Sequence, residues 1–322
     1  RDKTIERWLS AKLKEFDLQK YLSHRRNMQW IAEASPKSFL EFIENDIQKG
    51  SPILNEIFVI RPNRCGLTDT QIFYTELLFG LECIAWNEDY LPQVTQILLH
   101  LCAYKNDSNW DNRPSHSLER IYRFVMPCTC APLGKRITIL RSLQRRYPDA
   151  VHDVCLSWLK GLNSEASFTT QNFRWRWSAQ RPDYYSKGVQ RYPANDQLRE
   201  MYEMMMTNFE WREDNIVELL ELSMHQYMKS LRKDIIDSVR ARLDGIKGND
   251  TICKELREEI YRHWECQDTW WSLKGENLQL YRDLLHDLTL QDVINANKHL
   301  FDDIYLNDPD SGIDYLTENS VD

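Results

Sequence analysis

The sequence predicts an all-α protein, and three observations carry that prediction. Apolar residues recur three and four positions apart through almost all of the 322 residues, the spacing that places side chains on one face of a helix. Glycine contributes only 10 residues, less than half of its usual share of about 7 %, which disfavours sheets joined by tight glycine turns. Short polar or proline-containing breaks divide the chain into apolar runs of roughly 12 to 18 residues, a typical helix length.

The first predicted helices follow from their apolar stripes and their end signals. The first stripe consists of Ile5, Trp8, Leu9, Leu13 and Phe16. Ser35 followed by Pro36 predicts the start of a later helix, because serine caps a helix and proline is tolerated in the first turn. The Gly-Ser-Pro sequence at 50–52 predicts its end.

An antiparallel helical hairpin is predicted next. Asp69 is placed to cap its first helix, and a polar break at 86–89 separates that helix from an apolar run at 90–104. Both helices carry apolar stripes, so each must pack on a neighbour. Further helices are predicted at about 117–125 and 132–146, with another beginning at Pro148.

This succession of helices separated by short breaks favours an open stack over a closed bundle. We predict an α-solenoid of irregular helical-hairpin repeats, similar in kind to HEAT or TPR repeats. Residues 161–195 interrupt the pattern with polar and proline breakers, and so long a stretch without periodicity is typical of a seam. We therefore predict an N-terminal helical module (1–160), an Arg/Trp-rich connecting loop (161–195) and a C-terminal helical module with an acidic tail (196–322).

The charge balance excludes some classes of partner. The chain carries 41 Lys and Arg against 49 Asp and Glu, a formal net charge of −8, which opposes general binding to nucleic acid or to a membrane surface. No run approaches the ~18 apolar residues of a membrane span. The first residues contain neither a signal-peptide core nor an initiator Met. We expect a cytoplasmic chain that is a piece of a longer polypeptide.

The familiar catalytic motifs do not occur in the sequence. The nearest approach to a phosphate-binding loop is Leu-Gly-Lys-Arg at 133–136, where Arg136 replaces the metal-binding hydroxyl residue and Thr129 replaces the first glycine. GxGxxG, HExxH and GxSxG are also missing. We predict a non-enzymatic segment without a cofactor.

Four stretches of the chain carry a family resemblance. They are 31–36 with Phe39 and Leu40, 81–86 with Tyr90 and Leu91, 110–114 with Ser117 and Leu118, and 298–303. Over 27–306 the chain resembles the all-helical repeat region of large bacterial STAND-type proteins, which are signal-transduction ATPases with numerous domains, many of them associated with antiviral defence. The resemblance implies that the ATPase and an effector domain lie outside this region. It also implies that the region recognises a trigger by binding protein, and a phage protein is one candidate.

The eight cysteines include no CxxC pair. The nearest metal-like set is Cys128, Cys130, His152 and Cys155, whose spacing is not a standard zinc pattern. His152 and Cys155 also fall on a predicted helix with a core-facing stripe. We predict reduced thiols that act as small apolar side chains, and no metal site.

A basic segment without acidic residues runs from Arg120 to Pro148. Its cations are Arg120, Arg123, Lys135, Arg136, Arg141, Arg145 and Arg146. Helical spacing puts Arg141 and Arg145 on one side of a helix, which predicts a basic surface for phosphate or an acidic protein. The alternative is that these cations are solvated or pair with the acidic region 283–322.

Cations alternate with aromatic residues in the connecting loop. The candidate binding residues there are Arg174, Trp175, Arg176, Trp177, Tyr184 and Tyr185. Such pairs form interface hot spots or stack on bases, and the net charge favours a protein partner. The alternative is that the aromatic side chains only pin the loop to adjoining helices.

Arg113 is a further candidate, in the turn at 110–114. Asn112 and Pro114 favour a turn here, so a purely structural role explains the segment. Arg113 is placed either to bond to carbonyl groups at helix C-termini or to bind a partner. The competing interpretation of the whole chain is a stand-alone nucleic-acid-binding or processing domain that uses Asp111, His116 and the basic segment. A third is a scaffold that only associates with itself.

Overall fold

The computed structural model describes residues 2–59, 61–62, 70–104, 112–163, 192–207, 213–246, 250–265 and 276–288. These residues confirm the all-α prediction. The helices are α1 (Asp2–Lys14), α2 (Leu18–His24), α3 (Met28–Ala34), α4 (Pro36–Gln48), α5 (Pro52–Ile57), α6 (Thr75–Ala85), α7 (Leu91–Leu101), α8 (Pro114–Tyr122), α9 (Leu133–Leu143), α10 (Pro148–Lys160), α11 (Asn195–Met206), α12 (Glu213–Met224), α13 (Arg232–Ile246), α14 (Asp250–Glu265) and α15 (Glu276–Asp287). None of them combines the length and apolar character needed to cross a membrane.

One short antiparallel ladder accompanies the described helices. It joins β1 (Arg61–Pro62) to β2 (Thr70–Gln71), with Arg61 opposite Gln71. Because β2 occupies the positions after Asp69, α6 begins only at Thr75, later than the cap predicted at Asp69. The predicted hairpin partners, α6 and α7, do pack against each other.

The first helix buries less of its apolar stripe than its sequence predicts. Leu13 is buried, whereas Ile5 and Trp8 are exposed. Within unit 1, α1 packs on α3 and α4, and these contacts cover its C-terminal end. Periodicity predicted the helix here but not which part of its stripe is covered.

The chain divides into two compact units, unit 1 (1–209) and unit 2 (210–322). The division lies between Phe209 and Glu210, whereas we predicted the module boundary within 161–195. The difference is α11, which was assigned to the C-terminal module but packs on α10 within unit 1. Pairing between helices on either side of a long connection leaves no local signal in the sequence.

The core of unit 1 is tight where α3, α4 and α6 meet. Phe39 of α4 and Ala32 of α3 are fully buried. A β-carbon built on Gly80 of α6 lies 2.8 Å from Cζ of Phe39 and 3.1 Å from Cβ of Ala32. Gly80 therefore allows the close approach of a helix and an aromatic ring, with no space left for a larger residue.

A buried arginine satisfies the C-terminal end of α8. Nη1 of Arg136, in the first turn of α9, donates to the carbonyl oxygens of Tyr122 at 2.7 Å and Arg123 at 2.8 Å. Carbonyl groups at a helix C-terminus lack partners within the helix and favour a cation. Burial of the guanidinium lowers the pKa of Arg136 to about 10, so Arg136 remains charged at neutral pH.

In unit 2, arginine side chains likewise donate to carbonyl oxygens at the ends of two helices. Nε of Arg232 donates to the carbonyl oxygen of Ser223 at 2.9 Å, near the end of α12. The Ser223 hydroxyl lies 2.8 Å from the hydroxyl of Tyr281 on α15. The Tyr281 side chain is fully buried. Nη1 of Arg257, on α14, donates to the carbonyl oxygen of Leu285 at 3.2 Å. These bonds connect α12 to α13 and α15, and α14 to α15.

Within unit 1, two polar side chains from other segments bond to the end of α11. Nε2 of Gln144 donates to the carbonyl oxygens of Met204 at 2.6 Å and Thr207 at 3.0 Å. Nδ1 of His152, on α10, lies 3.0 Å from the carbonyl oxygen of Met205. Carbonyl groups at a helix end lack partners within the helix. At the end of α11 they accept hydrogen bonds from Gln144, which follows α9, and from His152 on α10.

We expect Gln144→Leu to lower the free energy of unfolding by about 1–2 kcal/mol, because the carbonyl oxygens of Met204 and Thr207 lose the hydrogen bonds that the Gln144 amide donates. Urea unfolding measures the loss, and hydrogen exchange should show faster exchange of α11 amides. Ser142→Ala is the matched control, since the Ser142 hydroxyl donates to the nearby carbonyl oxygen of Ile139 and not, among the described residues, to α11. Equal stability of the two variants would contradict this role for Gln144.

Candidate functional site

A cleft of about 280 Å³ opens in unit 1 where several helix ends meet. It is lined by the end of α5, the start of α6, the end of α7, the first half of α8 and part of α10. Its lining residues are Phe58, Tyr74, Cys102, Tyr104, Arg113, Pro114, Ser115, Leu118, Glu119, Ala150, Asp153 and Val154. Arg113 is the one predicted binding residue among them.

Arg113 is positioned by the start of α8. Its backbone is extended, with φ −125° and ψ 156°, because the residue before a proline is kept out of the helical region. Pro114 then occupies the first turn of α8, where its missing N–H is of no consequence. This local rule sets Arg113 at the helix start, half-buried in the cleft wall.

A stack of three aromatic rings forms one wall of the cleft. The ring of Phe58 lies 4.4 Å from that of Tyr74 with the planes 1° apart, and 4.7 Å from that of Tyr104 with the planes 22° apart. Phe58 and Tyr74 are buried, and Tyr104 is half-buried. The Tyr104 hydroxyl donates to Oδ1 of Asn55 at 2.8 Å, which holds the outermost ring in place. The wall is therefore a rigid apolar surface.

Two exposed carboxylates, Glu119 of α8 and Asp153 of α10, also line the cleft. Burial is the main cause that raises the pKa of the Cys102 thiol to about 12, and the charges of Asp153 and Glu119 raise it further. Both carboxylates thus act on the same point of the cleft lining. Cys102 remains protonated at neutral pH, which does not suit a nucleophile.

A buried carboxylate supports α8 from α6. Glu82 is 3 % exposed at its side chain and accepts a hydrogen bond from the Ser117 hydroxyl at 2.7 Å. Nη1 of Arg120 lies 3.5 Å from the same Oε1 atom, and its Nη2 lies 3.5 Å from Oδ1 of Asn112. These contacts fix the helix that begins directly after Arg113 and carries Glu119.

The basic segment is largely engaged within unit 1. Arg120 pairs with Glu82, Lys135 with Glu88 at 3.1 Å, and Arg141 with Glu200 of α11. These three cations therefore pair within the chain, as the alternative interpretation allows, and their partners are Glu82, Glu88 and Glu200. Residues 289–322 of the acidic region named in that alternative lie outside the described residues.

The predicted basic stripe is also interrupted. Arg136 is buried under α8 rather than presented to solvent. α9 ends at Leu143, so Arg145 follows the helix instead of continuing the face that bears Arg141. Both Arg141 and Arg145 are exposed, and they remain candidate binding residues.

The other predicted site residues fall outside the described part of the chain. These are Arg174, Trp175, Arg176, Trp177, Tyr184, Tyr185 and Asp111. The stretch 298–303, which contributes to the family resemblance, also lies outside it. His116 is half-buried on α8 and does not line the cleft.

Three residues of the metal-like set, Cys128, His152 and Cys155, have different surroundings. Sγ of Cys128 lies 3.8 Å from Nη2 of Arg123, while Cys155 is fully buried and burial strongly raises its pKa. His152 bonds to the carbonyl oxygen of Met205. Among the described residues, His, Cys, Asp and Glu form no group of three or more suited to hold a metal ion.

A second cleft of unit 1, of about 520 Å³, lies among α1, α2, α4 and α5. Its buried carboxylate, Asp46, accepts hydrogen bonds from the backbone N–H groups of Ile53 at 3.1 Å and Leu54 at 3.0 Å. Asp46 therefore caps the N-terminus of α5. The residue before α5, Ser51, has a left-handed backbone conformation with φ 60°. The carboxylate is occupied by this structural role.

Comparison of the chain with family models, curated proteins and solved structures gave no match. The features of the first cleft are therefore interpreted from their own geometry.

The sequence analysis missed most residues of this cleft. Phe58, Tyr104, Glu119 and Asp153 come from four separate segments, and none belongs to a motif. Each fits an ordinary helix or helix end when taken alone. Only Arg113 carried a local signal, namely its position before a proline at a helix start.

Proposed function

We propose that this chain is a protein-binding region of a larger STAND-type ATPase and has no catalytic role of its own. The observation that carries the proposal is the cleft at 280 Å³, which combines a rigid aromatic wall with a few charged groups at its edge. Such a combination is typical of binding sites for protein segments. The sequence resemblance adds the STAND context and the role of recognising a trigger.

We further propose that the helical pairs of each unit are irregular repeats of an α-solenoid. The support is the order of the helices and the packing of neighbours such as α6 on α7 and α7 on α8. In repeat proteins, sites often form at helix ends and connections on one face. The cleft, which lies among the C-terminal ends of α5 and α7 and the start of α8, fits such a position.

A pull-down compares bait proteins in lysates of phage-infected and uninfected bacteria. The baits are the wild-type chain, Arg113→Ala in the cleft, and Arg26→Ala as a control at an exposed arginine outside the cleft and outside the candidate binding residues. We expect an infection-specific protein that the wild type and Arg26→Ala retain and Arg113→Ala loses. Equal recovery with all three baits would contradict binding in the cleft.

Two further measurements address the competing functions. Electrophoretic shift of single-stranded and double-stranded nucleic acid at two salt concentrations tests the nucleic-acid alternative, whose binding would fall steeply with salt. Light scattering tests the self-association alternative by mass. We expect no shift and no concentration-dependent increase in mass.

A further inference from the structure

The second cleft of unit 1, of about 520 Å³, has a volume and a lining suited to a small organic molecule. Helices α1 and α4 pack against each other and supply most of its lining. Its apolar side chains are Leu13, Phe42 and Ile53, which are buried, and Phe16 and Leu18, which are half-buried. Apolar surface with a small number of polar groups is typical of small-molecule sites.

Helices α1 and α4 each place a matching pair of polar side chains on this cleft. Ser10 and Lys14 lie four residues apart on α1. Asn45 lies on α4, and Lys49 follows four residues later at its C-terminal cap. Residues at this spacing fall on the same face of a helix. Each helix thus contributes one neutral hydrogen-bond donor and one ammonium group to the same cleft.

These four polar side chains are available to a ligand. Within the ranges that the structure describes, the side chains of Lys14 and Lys49 take part in no hydrogen bond or ion pair, and the same holds for the Ser10 hydroxyl and the Asn45 amide. Both lysines are exposed, so their charged ends are accessible from solvent. Two ammonium groups without an anionic partner favour an anion between them.

The carboxylates that line the same cleft are engaged elsewhere. Oδ1 of Asp17 accepts a hydrogen bond from the backbone N–H of Lys20 at 2.8 Å. Asp46 accepts the backbone N–H groups at the start of α5. Oε1 of Glu41 lies 3.9 Å from Nζ of Lys37. The lysines are therefore the charged groups of the lining that a ligand has to neutralise.

We propose that this cleft binds a small aromatic acid, whose anionic group lies between Lys14 and Lys49. Its apolar body packs on Phe16 and Phe42, whose rings meet edge to face with their centroids 5.7 Å apart. The aliphatic stems of the lysines extend this apolar surface while their charged ends reach the acid. The inference is independent of the proposed protein-binding function, which concerns the other cleft.

The test compares two fluorescent probes that differ by one charged group. Anilinonaphthalene sulfonate is an aromatic anion, and phenylnaphthylamine is the same molecule without the sulfonate. Each is titrated into the full chain as wild type, Lys14→Met, Lys49→Met and the double variant. Methionine removes the charge and keeps an unbranched apolar stem. Lys3→Met is the matched control, because Lys3 is exposed on α1 and does not line the cleft.

We expect each single change in the cleft to weaken binding of the sulfonate about fivefold, and the double change about 20-fold. Binding of phenylnaphthylamine should stay unchanged in all variants, and Lys3→Met should bind both probes as the wild type does. Phenylbutyrate should displace the sulfonate from the wild type, whereas phenylbutanol, which lacks the carboxylate, should not.

Equal affinity of the sulfonate for the wild type and the double variant would overturn the inference, and so would a wild type that does not bind it. An equal loss in Lys3→Met would also overturn it, because the loss would then reflect overall charge and not this cleft. None of these results affects the pull-down, which tests Arg113 in the other cleft.

Discussion

Arg120→Met is expected to lower the free energy of unfolding by about 3 kcal/mol, because it leaves the carboxylate of Glu82 buried without its cation. Glu82 is 3 % exposed and Arg120 is 19 % exposed at the side chain. The Ser117 hydroxyl remains as a hydrogen-bond donor to Glu82 but carries no charge. Chemical denaturation at neutral pH measures the change, and α8 amides should show the largest loss of protection in hydrogen exchange.

The double variant Glu82→Gln with Arg120→Met separates the charge from the packing. Glutamine keeps the shape of Glu82 and can accept the Ser117 bond, so the double variant should recover most of the loss caused by Arg120→Met. Arg145→Met is the control at an exposed arginine without an ion pair among the described residues, and it should change stability by less than about 0.5 kcal/mol. Additive losses in the double variant would contradict the pairing of Glu82 with Arg120.

This ion pair also matters for binding. Arg120 and Ser117 attach α8 to α6, and α8 begins directly after Arg113 in the cleft wall. Partial loss of α8 packing in Arg120→Met should therefore weaken recovery of the partner in the pull-down as well as stability. Recovery equal to that of the wild type, at a temperature where the variant is folded, would contradict this link.

Gly80→Ala is expected to destabilise the chain by about 2 kcal/mol, although alanine normally stabilises a helix interior relative to glycine. The added β-carbon meets Phe39 at 2.8 Å, and Phe39 is fully buried, so its ring has little room to move. Thermal or urea unfolding gives the change in free energy.

A second helical glycine supplies the matched control. Gly134 on α9 has nothing within 4 Å of an added β-carbon, and it is exposed. Gly134→Ala should therefore stabilise by about 0.5–1 kcal/mol, opposite in sign to Gly80→Ala. Phe39→Leu should relieve the contact, so its double variant with Gly80→Ala should be more stable than the sum of the single changes predicts. Destabilisation of similar size at both glycines would show that the change in stability comes from backbone freedom and not from packing against Phe39.

Arg136 illustrates where a sequence pattern is insufficient. It was included among the cations of a basic surface, yet it is buried and bonds to the end of α8. Its spacing of four residues from Leu140, which is fully buried, is compatible with the buried face of α9. A cation on that face has to find carbonyl or carboxylate partners, and the partner helix is visible only in the fold.

The sequence by itself determined the helices, because periodic apolar residues, proline at first turns and scarce glycine are local features. Pro36 and Pro148 each begin a helix as predicted, whereas Pro52, which was interpreted only as part of a helix end, also begins one. Only the tertiary structure decided which elements pack together: α11 on α10, Gly80 against Phe39, and the C-terminal ends of α5 and α7 with the start of α8 around one cleft. The physical reason is that burial and charge at these places depend on residues far apart along the chain, whose encounter leaves no trace in local spacing.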